Sequence, residues 1–247
     1  MVSKRTSKKA RELMSANPGL RYQQALDQLR SENDDSPTNS AWFAALGITE
    51  LNNWDPRTAW DKSESDSHLY IPLGLEGLPG TLCRDVVTLD LGESSVGGAG
   101  PHGVIQGMTG SGKSVLLGSL VLGACTRYSP SKLNFVLFDF KSSHTFRDFD
   151  KLPHVLANLS YMNERRDDLN QVTESIRHEI DRRTALIDQY EARDIVDYRA
   201  KRAANPDRYP PLPELVVVVD DFREFLQVHP ELADFIRYLA VVGRAQG

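Results

Sequence analysis

The stretch Gly107-Met108-Thr109-Gly110-Ser111-Gly112-Lys113-Ser114 decides how the rest of this 247-residue chain is read. It fits G-x-x-x-x-G-K-[ST], the phosphate-binding P-loop. Glycines let the backbone curl so that successive N–H groups converge on phosphate oxygens. Lys113 has the reach for β- and γ-phosphates, and Ser114 offers a hydroxyl to Mg²⁺. The helix that follows turns its positive end toward the same anion. The competing reading is a glycine-rich turn that happens to carry a lysine. Context argues against it. His102-Gly103-Val104-Ile105-Gln106 predicts a short buried strand before the loop, and Val115-Leu116-Leu117-Gly118-Ser119-Leu120-Val121-Leu122 predicts a buried helix after it. Strand, loop, helix is the order that the motif requires.

Further along, Leu133-Asn134-Phe135-Val136-Leu137-Phe138 predicts an apolar strand ending at Asp139. Leu169, Val172, Ile176 and Ile180 recur at three- and four-residue spacing, so a helix is expected from Asn163 to Tyr190 with its other face charged. Arg182 and Arg183 near its end are expected in solvent. Residues 204–213 are polar and proline-rich and read as a rigid loop. Then comes Leu215-Val216-Val217-Val218-Val219-Asp220-Asp221, which matches a central parallel strand with carboxylates at its C-terminal edge. That edge is where ligands sit in open α/β sheets. Behind a P-loop, Asp220 is expected to serve Mg²⁺, directly or through water, and Asp221 to orient or deprotonate the attacking water. The bland alternative is a strand that merely ends in two acids.

Upstream of the loop, residues 1–40 read as a helical, basic appendage and linker. Lys4, Arg5, Lys8, Lys9 and Arg11 open it, and Leu13, Tyr22, Leu26 and Leu29 suggest two short amphipathic helices broken at Asn17-Pro18-Gly19. A solvated tail and a docking arm both remain open for it. Residues 41–100 hold Trp42, Trp54 and Trp60, a cluster that suits packing against a neighbouring domain. Asp55-Pro56 suits a helix start. Tyr70-Ile71-Pro72-Leu73-Gly74 suits an edge strand, and residues 86–91 a further one. Residues 101–247 form the nucleotide-binding domain.

Composition is that of a globular protein, with 40% hydrophobic and 26% charged residues. A net charge of −5 does not advertise nucleic-acid binding by the chain as a whole. Cys83 and Cys125 have no metal-ligand spacing and fit a reducing cytoplasm. No apolar run approaches the length of a membrane span, and no apolar segment follows the basic N-terminus, so it does not read as a signal peptide.

Pro101-His102, the loop at 107–114, Asp139-Phe140-Lys141, Leu152-Pro153-His154 and Val218-Val219-Asp220-Asp221-Phe222 occur in one order that resembles the FtsK/SpoIIIE-type ATPases. The chain is most similar to the EccC-like ATPases of type VII secretion, over roughly residues 43–247. The resemblance implies a RecA-like α/β fold, a mainly parallel central sheet flanked by helices, and ATP hydrolysis with Mg²⁺. It also implies assembly with ring neighbours, and work at the inner face of the membrane with secretion-machinery components on small helical export substrates. Other branches move double-stranded DNA. A nucleotide-binding assembly module with little hydrolysis is a third reading. Arg244 matches an arginine that faces the neighbouring subunit in related rings, and the resemblance implies a finger in trans for it. A solvated charge is its plain alternative.

Three departures stand out. Asp221 occupies a position where the family usually has Glu, one methylene longer; a misplacement of about 1 Å can cost about 10²-fold in rate. Ser142-Ser143 replaces the usual pair of small residues. Family members usually continue into a strand carrying a γ-phosphate sensor, so the domain is expected to be C-terminally incomplete.

Overall fold

The computed structural model describes residues 11–15, 25, 43, 46–48, 50–64, 66, 69–76, 85–92, 98–140, 145–160 and 166–247. They fall into two compact units, Met1–Trp54 and Asp55–Gly247. In the first, residues 11–15 are helical and Leu51–Asn53 form a 3₁₀ turn. Tyr22, Leu26, Leu29, Trp42, Cys83 and the pair Ser142-Ser143 lie outside the described residues.

The second unit is built on β3 (Leu133–Asp139), with parallel neighbours β4 (Val155–Ser160) and β5 (Glu214–Asp220) on either side. Two earlier strands, β1 (Tyr70–Glu76) and β2 (Asp85–Asp90), pair antiparallel as a separate hairpin. Strand alternation sends β3 side chains to two helical layers. Leu133, Phe135 and Leu137 pack on α2 (Lys113–Arg127), together with Val216 and Val218 of β5. Val136 and Phe138, with Val217 and Val219, face α3 (Arg166–Gln189), α5 (Phe222–Val228) and α6 (Ala233–Tyr238). The result is a helix–sheet–helix sandwich, the α/β class expected.

On the α2 layer, α1 (Pro56–Ser63) starts as the Asp55-Pro56 pair predicts, with the Asp55 carboxylate accepting from Arg57 N. Trp60 lies against α2 within this same unit: its Nε1 donates to Cys125 O at 3.0 Å. Gly123 lets α2 approach β1, because a Cβ there would sit 2.4 Å from Pro72 O. Burial pushes the Cys125 thiol up to about 12, so it is an inert core group.

Four expectations change. Residues 101–107 form no strand and are exposed, with Val104 91% accessible. Only Val104 and Ile105 in 102–106 are apolar, and a lone extended segment has no partner for its N–H and C=O groups. β5 is an edge strand of the described sheet, and β3 takes the centre. Arg183 is buried rather than solvated, at 3% side-chain exposure. It donates to Glu179 Oε1, to Pro213 O and to the carbonyls of Gln246 and Gly247, because β5 and the last residues of the chain converge on this face of α3. Finally, β4 and α4 (Ile195–Ala204) were not anticipated, since each is too short to show a decisive period.

His154 enters β4 fully buried, with Nε2 2.7 Å from Tyr128 O and the Trp60 ring edge-on at 5.5 Å. Its Nδ1 has no partner among the described residues. Burial holds the imidazole below its ordinary value, partly offset by the Tyr128 carbonyl. The unfolded chain therefore takes up a proton near pH 6.5 that the folded chain refuses. His154 contributes its full stability above that pH and loses it on acidification, by up to about 1.4 kcal/mol per pH unit, until the folded group titrates. The urea midpoint should fall more steeply between pH 7.5 and 5.5 in wild type than in His154→Gln, and equal slopes would contradict this.

Candidate nucleotide-binding site

The loop at 107–114 turns through two glycines in the left-handed region, Gly110 (φ +81°) and Gly112 (φ +94°), and Gly112 caps α2. Side-chain residues rarely hold such angles, so the motif's glycines are needed where they stand. Lys113 Nζ donates to Gly107 O at 2.9 Å and Met108 O at 3.1 Å. The ammonium thus ties the start of the loop to the start of the helix and keeps its charge within the curl. Residues 107–112 are exposed, as an anion cradle requires.

Facing the same layer are two acids that pairing sets side by side. In the β3–β5 register Asp139 lies opposite Asp220. Both share the parity of Leu137 and Val218, so they stand on the α2 side of the sheet. They are 1% and 4% exposed. Thr145 joins them: its N donates to Asp139 Oδ2 at 3.0 Å and its hydroxyl to Asp220 Oδ2 at 2.9 Å. Asp221 N donates to the other Asp220 oxygen, Oδ1, at 2.9 Å. Thr145 also lines an open pocket of about 430 Å³ with Ser114, Val115, Gly118, Ser119 and Leu122. The start of α2 and the end of β5 therefore meet around Thr145.

Asp221 leaves the strand in the left-handed conformation (φ 57°, ψ 52°) and caps α5. Asp is among the few side chains that adopt this state, at a cost of roughly 1–2 kcal/mol. Strain at a strand end beside a candidate site is a recurrent mark of function. Arg244 is not brought here. It is exposed one turn before Gly247, whose carbonyl accepts from Leu215 N at 3.3 Å, near the opposite end of β5 from Asp220. At about 3.3 Å per residue that end lies about 16 Å from Asp220.

These residues fit a magnesium nucleotide. Two carboxylates buried side by side are costly to keep ionised, and added positive charge lowers that cost. The oxygens available to a metal are hard ones, from Ser114 and the two acids. Among the described residues no group of three or more His, Cys, Asp or Glu gathers. A cation here would thus be shared with phosphate and water, as Mg²⁺ usually is. Bound there, it would supply charge for a developing phosphoryl transition state. Sequence reading missed Thr145, and had Asp139 as a strand end and as part of the Asp139-Phe140-Lys141 motif without pairing it with Asp220; strand-pair register and the Thr145 hydrogen bonds are what link them.

Fold, loop and paired acids define a P-loop ATPase-type α/β domain. The FtsK/SpoIIIE family model matches residues 59–247, and the chain belongs to that family. It is 36% identical over 210 residues to the ESX-4 secretion system protein EccC4 of Mycobacterium tuberculosis, covering 84% of this chain and 16% of that protein. It is 34% identical over 219 residues to the ESX secretion system protein EccC of Thermomonospora curvata, covering 87% and 16%. Among solved structures it resembles the cytoplasmic domain of the Thermomonospora curvata type VII secretion ATPase EccC, with TM-score 0.73 and 34% identity over 83% of this chain and 23% of that one. The EccC ATPases 2 and 3 from the same organism, solved with a signal sequence peptide, share the fold at TM-score 0.63 and 22% identity, over 74% of this chain and 32% of that one. The chain thus spans a small part of its relatives. No helix among the described residues is long and apolar enough to cross a membrane.

Lys113 is the one cationic side chain of the 107–114 loop. A charge-assisted hydrogen bond lost to a buried anion costs about 1.5–3 kcal/mol. Lys113→Ala should weaken ATP binding about 100-fold with an unchanged circular dichroism spectrum. Unchanged affinity for a fluorescent ATP analogue would refute the phosphate assignment.

Proposed function

We propose that this chain is an ATPase module of an EccC-type motor for type VII protein secretion. The observation that carries the chemistry is the Asp139–Asp220 pair facing the α2 layer that begins at the phosphate loop. Similarity of 34–36% to EccC proteins over more than four-fifths of the chain supports the secretion branch. In this reading the backbone of 107–114 and Lys113 hold the phosphates of ATP, Ser114 and Asp220 serve Mg²⁺, and Asp221 orients the attacking water. Arg244, remote from the site of its own chain, reaches a ring neighbour's nucleotide. The module works in the cytoplasm at the inner face of the membrane, with other secretion components and small helical export substrates. Residues 1–40, 41–100 and 101–247 serve as appendage, packing segment and ATPase core.

One observation favours a second reading, a nucleotide-binding assembly module with little turnover. Residues 101–107 are exposed and outside the sheet, so nothing described braces the loop from its N-terminal side. DNA translocation has less support, given the relatives' names and the net charge of −5. Nucleotide affinity and single-turnover hydrolysis, with and without duplex DNA at two salt concentrations, separate the three.

In the motor reading, Asp221→Ala should remove hydrolysis and leave Mg²⁺-ATP affinity within about threefold, because the carboxylate acts on water rather than on the bound state. Equal turnover in wild type and Asp221→Ala would make the assembly reading the better one.

A further inference from the structure

Asp220 is held from both sides before any ligand arrives. Each of its carboxylate oxygens accepts one neutral donor, Asp221 N on Oδ1 and Thr145 Oγ1 on Oδ2. The first donor comes with the chain itself, from the next residue. The second comes from a loop residue 75 positions earlier and depends on where that loop sits. Its seat is fixed by the neighbouring strand: Thr145 N donates to Asp139 Oδ2, and Asp139 is locked by register beside Asp220. The order of dependence is therefore Asp139, Thr145, Asp220. A hydroxyl donor on a metal-binding carboxylate fixes its rotation and the direction of its remaining lone pairs, and loss of such a donor typically costs 10–100-fold in metal affinity.

We propose that Thr145, anchored by Asp139, is the positioning residue of the metal side of this site, aiming the Asp220 carboxylate at the Mg²⁺ that accompanies ATP. The inference rests on the assignment of Asp220 to Mg²⁺. Thr145 itself carries one hydroxyl, which points its proton at Asp220, so its role is orientation rather than charge. It also borders the pocket beside Ser114, and a shift of this loop would be felt on both oxygen donors.

The test uses binding, without turnover. A fluorescent ATP analogue is titrated with Mg²⁺ in the full chain, and the Mg²⁺ midpoint is read for wild type, Thr145→Val, Thr145→Ala, Thr145→Ser and Asp220→Ala. Thr145→Val is near-isosteric and keeps the backbone donor to Asp139. It should raise the midpoint at least about tenfold, while nucleotide affinity in EDTA stays at the wild-type value. Thr145→Ala adds no bulk and should shift the midpoint the same way if the valine variant folds poorly. Thr145→Ser restores the hydroxyl and should return the midpoint to within about threefold of wild type. A purely structural threonine would instead lower affinity alike with and without Mg²⁺, and that result overturns the proposal. A wild-type midpoint in Thr145→Val and Thr145→Ala beside a shifted Asp220→Ala overturns it as well, leaving the metal assignment standing. An unshifted Asp220→Ala removes both.

Discussion

The β3–β5 pairing is the constraint on which the rest depends. Seven register pairs, from Leu133 opposite Glu214 to Asp139 opposite Asp220, run without a shift. A slip of one residue would turn each side chain of β5 to the other layer. Val216 and Val218 would leave the α2 core, Val217 and Val219 the α3 core, and Asp220 would point away from α2. The hydrophobic pattern therefore fixes the chemistry: the same burial that seats the valines sets two carboxylates together at the ligand edge. Burying those charges opposes folding. They persist at that edge with Thr145 and Asp221 N donating to them.

This division of labour recurs around the core. Apolar residues choose the layer, and a few polar groups choose the orientation. Arg183 spends its buried guanidinium on Glu179 and three backbone carbonyls, joining α3 to the lead-in of β5 and to the end of the chain. Tyr128 caps α2 through its N–H on Ala124 O, and its phenolic oxygen accepts from Tyr70 N at 2.7 Å, which ties β1 to that helix. His154 spans Tyr128 and Trp60 at the entry to β4. Each is a polar group with at least one partner far off in sequence.

That distance explains what the sequence shows and what it conceals. The loop at 107–114, the helix after it, β3, β5 and the long amphipathic α3 are legible because each is a local pattern: glycine spacing, an apolar run, a 3.6-residue period. Asp220 and Asp221 are legible because the acids follow their strand directly. Thr145 carries no local signal; its meaning comes from a bond across 75 positions. Arg183 reads as surface charge because, beyond nearby Glu179, the three carbonyls that receive it come from 30 or more residues further on. The 102–106 segment reads as a strand through its place before the loop, yet with two apolar residues it has little to bury, and the described sheet gives it no partner.

The central claim is that the phosphate loop and the Asp220 edge form one magnesium-nucleotide site. It is tested most directly by a crystal structure of the chain with a non-hydrolysable ATP analogue and Mn²⁺ in place of Mg²⁺, with the metal located by its anomalous signal. The account predicts phosphate oxygens against the backbone N–H groups of 107–114 and the metal between Ser114 and Asp220, bound directly or through one water. A nucleotide seated elsewhere, or a metal peak remote from both residues, would contradict it.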